Sequence, residues 1–333
     1  MIWYKDKNDG IIISTRVRLA RNLDRVPFPK AIAQKDIDPV LETLTESITK
    51  SNSTLSKDFD LFELDKMTPQ EKTAMVEEHL ISPQMAEGTK KRVLVNHDKT
   101  MSIMLMEEEH ISLQIILGGY ELDKAYDLAD KVDDVMEESL TYAYDEKFGY
   151  LTACPTNTGT GLRASVMMHL PALSMTGNIR RIVDSFSGMG IAVRGLYGEG
   201  TEAQGCLYQI SNSITLGLSE REIIDKLKSV VDRIAEMEKQ ARNTLYEKHR
   251  EDLEDKIMRS YGILSYARKL TSSEAKDMLS DCLLGENMGI IDKKGKMTPV
   301  ELMIKSAPSF ILGTPEERDI KRAGLLRDNI RRD

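Results

Sequence analysis

The stretch IIISTRVRLARN, residues 11–22, alternates as a β-strand does. On a strand, successive side chains point to opposite faces. Ser14, Arg16 and Arg18 therefore share one face, while Thr15, Val17 and Leu19 share the other. Two arginines two residues apart on one face repel each other unless an anion sits between them. Phosphate suits that place, because the guanidinium fork binds its oxygens bidentately. By itself the segment is also accounted for by a solvated edge strand with protective charges.

The chain has 333 residues, enough for two domains and a large core. Hydrophobic residues make up 41% and charged residues 30%, a soluble globular profile. No apolar run approaches the roughly 18 residues of a membrane span. MIWYKDKNDG lacks an apolar h-region, so no signal peptide is predicted. Cys154, Cys206 and Cys282 lie far apart with no CxxC pair. That pattern argues against structural zinc or a disulfide framework and suits a reducing cytoplasm. A net charge of -8 argues against a general nucleic-acid binder.

Up to about residue 218, short apolar runs such as RVLVN and SIMLM alternate with longer helical segments, an α+β pattern. HDK at 97–99 reads as a hairpin turn between those two runs. Helices are predicted over 35–56, 68–80 and 121–145, with Met67-Thr68-Pro69 as a start signal. From Ser219 the character changes. Ser219 with Glu222, and Thr271 with Glu274, form capping boxes. Ile223, Ile224, Leu227, Val230, Val231, Ile234 and Met237 mark one helical face, and the last third is nearly all helix. The boundary is placed near 240–250, giving units 1–245 and 246–333.

Further arginines strengthen the anion reading. Arg163 follows CPTNTGTG, a segment able to present backbone N–H groups to an anion. Arg194 opens RGLYGEG, whose glycines permit close backbone approach. Neither segment is a Walker A loop or a GxGxxG turn, so side chains must neutralise most of any polyphosphate charge. MLMEEEHISLQ supplies Glu107, Glu108, Glu109 and His110, and Glu199 sits in YGEGTEAQG. Two carboxylates could grip a cationic substrate while arginines hold a polyphosphate donor.

STRVR (14–18), EEEH (107–110), CPTNTGTGLRASV (154–166) and RGLYGE (194–199) together resemble the guanidino (phosphagen) kinase family, in its order. The resemblance implies a catalytic domain built on an antiparallel sheet flanked by helices, joined here to an all-helical C-terminal domain. Three features resemble the family's bacterial protein-arginine branch. STRVR begins at residue 14, without the preceding helical domain that encloses small guanidines. Tyr197 and Gly200 stand where small-guanidine enzymes carry arginine and histidine. RDIKRA, residues 318–323, matches a phosphoarginine-binding motif.

The resemblance implies transfer of the γ-phosphoryl group of ATP, with Mg²⁺, to arginine side chains of proteins. It assigns Glu108, Glu199 and Cys154 to catalysis, with Glu108 as base and the Cys154 thiolate beside the substrate. It assigns Ser14, Thr15, Arg16, Val17, Arg18, His79, Arg163, Ala164, Ser165, Val166, Met167, Arg194, Gly195, Leu196, Tyr197, Gly198 and Glu199 to ATP. Arg318, Asp319, Ile320, Lys321, Arg322 and Ala323 are assigned to phosphoarginine: the two arginines, four apart on a helix, to its phosphate and Asp319 to its guanidinium. No dedicated metal ligands are assigned. Implied partners are a zinc-binding activator adaptor, a heat-shock repressor and the Clp protease machinery, in a cytoplasmic stress response, with a homodimer as the assembly.

Two positions depart from the family. Ser112 replaces an arginine, and Met106 replaces an asparagine. An unreplaced charge-assisted phosphate contact is worth roughly 1.5–3 kcal/mol. Lys91 or Arg92 could fill the gap in space. The alternatives are a kinase for free arginine or another small guanidine, and a low-activity phosphoarginine-binding adaptor.

Overall fold

The computed structural model describes residues 2–5, 8–195, 203–292 and 295–330. Its elements begin with β1 (Ile12–Arg21), α1 (Ile37–Thr49), β2 (Phe59–Glu63), α2 (Pro69–Glu77), α3 (Pro83–Glu87), β3 (Arg92–Asn96), β4 (Met101–Leu105) and β5 (Ile111–Gly118). Next come α4 (Leu122–Glu137), β6 (Tyr144–Asp145), β7 (Gly149–Tyr150), β8 (Leu162–His169), α5 (Pro171–Met175), α6 (Ile179–Ser187), β9 (Ile191–Gly195) and β10 (Leu207–Asn212). The chain ends in helices α7 (Glu220–Lys248), α8 (Arg250–Tyr266), α9 (Ser272–Asn287), α10 (Pro299–Lys305) and α11 (Pro315–Ile330).

Among the described residues, eight strands form one sheet in the order β2-β3-β4-β5-β1-β8-β10-β9. Every neighbouring pair is antiparallel. β1 is hydrogen-bonded on both sides, to β5 and β8, so its arginines do not protect an edge. The predicted alternation holds. Val17, Leu19, Leu113, Ile115, Ala164 and Val166 face a core closed by α1, α4 and α7.

The opposite face carries the charge. Arg16 stands opposite Ile116 and Ser165, Arg18 opposite Gln114 and Arg163, and Arg194 opposite Gln209. Its margins are covered. α2 and α3 pack on Val93, Val95 and Met104. The C-terminal helices, with Trp3 and Tyr4, pack on Ile13, Ile116, Met167 and Leu207. The arginines remain in a cleft between these two covers.

Local signals translate well at helix starts. The capping boxes of α2 (Thr68 and Glu71), α7 (Ser219 and Glu222) and α9 (Thr271 and Glu274) all form. Helix ends differ from expectation. α4 stops at Glu137, because Leu140 and Tyr142 turn into the core and Tyr142 bridges Leu23. α1 covers 37–49 rather than 35–56, and a short 3-10 turn follows at Thr54–Lys57.

A buried ion pair ties the sheet to the helices. The Glu238 carboxylate accepts from Arg242 Nε at 2.8 Å and from the amides of Ala172 and Leu173 at 3.1 and 3.0 Å. Arg242 Nη2 donates to the carbonyls of Gly10 and His169 at 3.2 and 3.3 Å. The His169 ring meets Ser280 Oγ of α9 at 2.7 Å. Burial, with Arg242 nearby, pushes that imidazole down to about 3, so it stays neutral. Removing one partner of such a pair strands a buried charge. We expect Arg242→Met to cost about 3–5 kcal/mol in urea unfolding, and the Glu238→Gln/Arg242→Met double variant to recover part of that loss.

Candidate active site

The charged cleft contains a cavity of about 140 Å³, lined by Arg18, Arg163, Glu107, Glu108, Ser112 and Cys154 among others. Arg16 donates to Gln209 Oε1 at 3.1 Å across the same face. Burial and the neighbouring Arg163 hold Arg18 down to about 10, with Glu107 and Glu108 pulling the other way. Arg163 is also pushed down, by burial and then by Arg194. Its Nε is buried with no hydrogen-bond partner among the described residues. A buried donor left unmatched is costly, so this group is one that an anionic ligand would satisfy.

The three glutamates do different things. Glu107 accepts from Ser82 Oγ. Glu108 is partly exposed, with Lys30 Nζ 3.9 Å away. Glu109 is buried and accepts from Asn22 Nδ2 (2.6 Å), Ala153 N (2.7 Å), Cys154 N (3.1 Å) and Asn157 Nδ2 (3.3 Å). This corrects one expectation. The loop amides do hold an anion, but it is the protein's own carboxylate. The amides of residues 157–161 are bonded to backbone carbonyls, because buried donors must be satisfied as the loop closes on itself. Charge recognition in the cleft therefore falls to the guanidinium groups. Cys154 Sγ lies 3.0 Å from Thr156 Oγ1 at the cavity wall.

Within the predicted nucleotide motifs, only alternate residues reach the cleft. Arg16, Arg18, Arg163, Ser165 and Arg194 share its face, in register with one another. Thr15, Val17, Ala164 and Val166 are fully buried on the other side, and Thr15 Oγ1 donates to Gly119 O at 2.8 Å. Ser14 is buried, and Met167 packs against the C-terminal helices. The strand period explains the correction: a contiguous run cannot put every side chain on one face. Gly195 ends β9, whereas Leu196, Tyr197, Gly198 and Glu199 lie outside the described residues.

His79 follows α2 with φ 62, a left-handed conformation uncommon for a residue with a Cβ. Its ring lies against Trp3, centroids 5.2 Å apart, and its carbonyl accepts from Gln114 Nε2 at 2.6 Å. Burial, then Arg16 and Lys276, push the imidazole down to about 3.

RDIKRA lies on α11. Arg322 is buried, and its Nε donates to Ser306 O at 2.8 Å. Its Nη1 donates to Leu270 O at 2.9 Å and to Asp319 Oδ1 at 2.6 Å. The expected pair of available arginines is thus not what the helix presents. Arg322 ties down helix ends and Asp319, because a buried guanidinium must find acceptors. Lys321 Nζ donates to Leu312 O at 2.8 Å, Ile320 is exposed and Ala323 is buried.

Residues 40–241 match the family model of the ATP:guanido phosphotransferase C-terminal catalytic domain, and residues 250–333 match the protein-arginine kinase McsB C-terminal domain. A protein-arginine kinase of Caldanaerobacter subterraneus subsp. tengcongensis is 46% identical, covering 94% of this chain and 95% of that protein. Another, of Brevibacillus brevis, is 45% identical over 99% and 95%. The chain belongs to the protein-arginine kinase family. It is a phosphotransferase of the guanidino class. Among solved structures, lombricine kinase shares the fold, with a TM-score of 0.61 and 26% identity over 71% of this chain and 68% of the other.

Several residues escaped the sequence reading. Gln114 and Gln209 were signalled only by sharing strand faces with Arg18 and Arg194. The anchoring role of Glu109 and the place of Trp3 beside His79 had no local signal. Removing the Glu109 carboxylate takes an acceptor from two amides and two side-chain donors, of which Asn22 Nδ2 keeps Leu151 O. We expect Glu109→Ala to destabilise by about 2–4 kcal/mol and to raise the rate of Cys154 alkylation by iodoacetamide several-fold at fixed pH.

Proposed function

We propose that this chain transfers the γ-phosphoryl group of ATP to the guanidinium of arginine side chains in proteins. One observation carries the reading. Four arginines crowd one sheet face, one with an Nε unmatched among the described residues, beside a cavity holding Glu107, Glu108 and Cys154. Relatives named protein-arginine kinase, matched over nearly their full length, supply the acceptor class.

In this reading Arg16, Arg18, Arg163 and Arg194 hold the triphosphate and stabilise the charge that spreads over the transferring group's oxygens. His79 is assigned to the nucleotide side. Mg²⁺, bound with the phosphates, would neutralise part of their charge. Among the described residues no cluster of three or more His, Cys, Asp or Glu is placed to hold a metal, and we assign its ligands to phosphate oxygens and water. An arginine side chain is protonated at neutral pH and is a poor nucleophile. Glu108 accepts a proton from the attacking nitrogen. As the N–P bond forms, the bond from γ-phosphorus to the bridging oxygen breaks, and ADP departs with that electron pair. Glu107, tethered to Ser82, fixes another edge of the guanidinium, and Glu199 is assigned the second clamp from its motif. Cys154 lies beside the reacting group.

We assign phosphoarginine recognition on α11 to Arg318 and Asp319, with Arg322 holding Asp319 in place. The adaptor, repressor and Clp partners, the homodimer and the cytoplasmic location belong to the same reading.

Ser112 favours a second reading, a low-activity phosphoarginine-binding adaptor. It faces the cavity, and the proposed substitutes are engaged elsewhere. Arg92 Nη1 donates to Glu42 and Thr45, at 3.0 and 3.1 Å, and Lys91 Nζ donates to Gln84 O at 2.7 Å. Intact-mass detection of acid-labile phosphate on an added arginine-rich protein, beside free arginine, tests the activity. Phosphorylation of the free amino acid alone would overturn the protein-directed reading. We expect Glu108→Gln to lower kcat by about 10²–10⁴ with the fold intact by circular dichroism. We expect Ser112→Arg to raise kcat about tenfold, since a restored contact of ~1.4 kcal/mol in the transition state amounts to that.

A further inference from the structure

The cavity's wall is the loop around Cys154, and that loop is held from two sides. On one side Tyr150 and Gly159 exchange backbone hydrogen bonds of 2.8 and 3.3 Å, which dock the β6–β7 hairpin. On the other, Thr215 Oγ1 donates to the carbonyls of Thr156 and Thr158 at 2.9 and 2.8 Å, and Thr160 N donates to Thr215 O at 3.1 Å. Gly159 is pressed so closely against this second segment that a Cβ would fall 2.3 Å from Thr215 O.

Both flanks expose large apolar side chains. The hairpin exposes Tyr144 (61%) and Phe148 (44%), and the other segment exposes Ile214 (45%) and Leu216 (48%) on either side of the buried Thr215. These are four of the thirteen large apolar side chains exposed among the described residues, and all four sit on the two supports of one catalytic-cleft loop. Scattered exposed apolar residues need no explanation, but a set gathered on the two supports of a cavity-wall loop does.

We infer that these four side chains form the docking surface for the polypeptide on either side of the target arginine, and that the surface selects apolar neighbours. The inference rests on the arginine-phosphotransfer reading. The occupant follows from continuity and charge. Glu107 and Glu108 in the cavity are complementary to a guanidinium, and an arginine seated there brings its own backbone to the loop's rim. In an extended chain the residues two positions away lie about 7 Å along from the arginine, beyond the cavity itself. At the hairpin tip between Tyr144 and Phe148, Asp145 and Glu146 outnumber Lys147, whose Nζ lies 5.2 Å from the Phe148 ring, and the net negative charge disfavours acidic neighbours there. Uniform contacts of this kind lower KM without assisting the chemical step.

Two blocked peptides of equal charge, Gly-Gly-Arg-Gly-Gly and Leu-Gly-Arg-Gly-Leu, are assayed for ATP-dependent phosphorylation by the full chain. The variants are Tyr144→Ser/Phe148→Ser, Ile214→Ser/Leu216→Ser and, as a distant exposed control on α8, Met258→Ser. We expect the leucine peptide to have the lower KM with the parent protein by about tenfold. Either double variant should remove most of that advantage, with KM for ATP unchanged and kcat moved by less than roughly twofold. Met258→Ser should behave as the parent. Equal KM values for the two peptides with the parent protein would overturn the surface without needing any variant to fold. A leucine advantage that survives both double variants would also overturn it. Absence of phosphate on either peptide, with the parent protein, would instead overturn the activity on which the surface rests.

Discussion

Arg18 and Arg163 stand directly across from each other on paired antiparallel strands, and the rest of the architecture answers to that repulsion. Like charges in register on one sheet face destabilise a pair of strands. Arg194 adds a third guanidinium beside Arg163, and Arg16 a fourth on the same face. The sheet tolerates this because its other face is covered by helices and both margins of the charged face are packed. The strain is thereby confined to one cleft. An anion bound there stabilises the folded chain by mass action as well as serving chemistry.

The acidic side of the cleft is ordered by a second internal charge. Glu109 gathers the loop bearing Cys154 onto the end of β1, freeing Glu107 and Glu108 to line the cavity. A comparable hub joins the cleft to the C-terminal helices. The Glu78 carboxylate accepts from Tyr4 Oη at 2.9 Å and Lys99 Nζ at 2.8 Å, and lies 3.7 Å from Lys305 Nζ of α10. Burial alone would push that carboxyl up. Lys99, Tyr4 and Lys305 outweigh it and leave the group below the usual carboxylate range. His79, the next residue, is thus fixed by a charge shared among the N-terminal segment, the sheet and the helical cover.

The sequence made visible whatever depends on neighbours along the chain. Alternation in IIISTRVRLARN predicted which side chains of β1 share a face, and Met67-Thr68-Pro69, Ser219-Glu222 and Thr271-Glu274 announced their helices. What stayed hidden depends on distant partners. That β1 is interior follows from pairing with strands about 100 and 150 residues away. That the amides at 153 and 154 serve Glu109 is a contact across 44 and 45 residues. Only the family resemblance made Arg322 a phosphate ligand, and its acceptors Ser306 and Leu270 stayed hidden because they are backbone atoms that no side-chain pattern announces. Met106 is a mixed case. Its φ of 61 favours an asparagine, the residue the family resemblance anticipates, yet its side chain belongs to the core.

Trp3 is the chain's single tryptophan, and its indole rests on the His79 ring while donating to Glu78 O at 3.0 Å. Intrinsic fluorescence of this molecule is therefore a signal from one location, the seam where the amino-terminal segment meets the histidine beside Arg16. Emission wavelength and quenching report undocking of that segment separately from global melting, and they give an optical handle on the cleft without any attached dye.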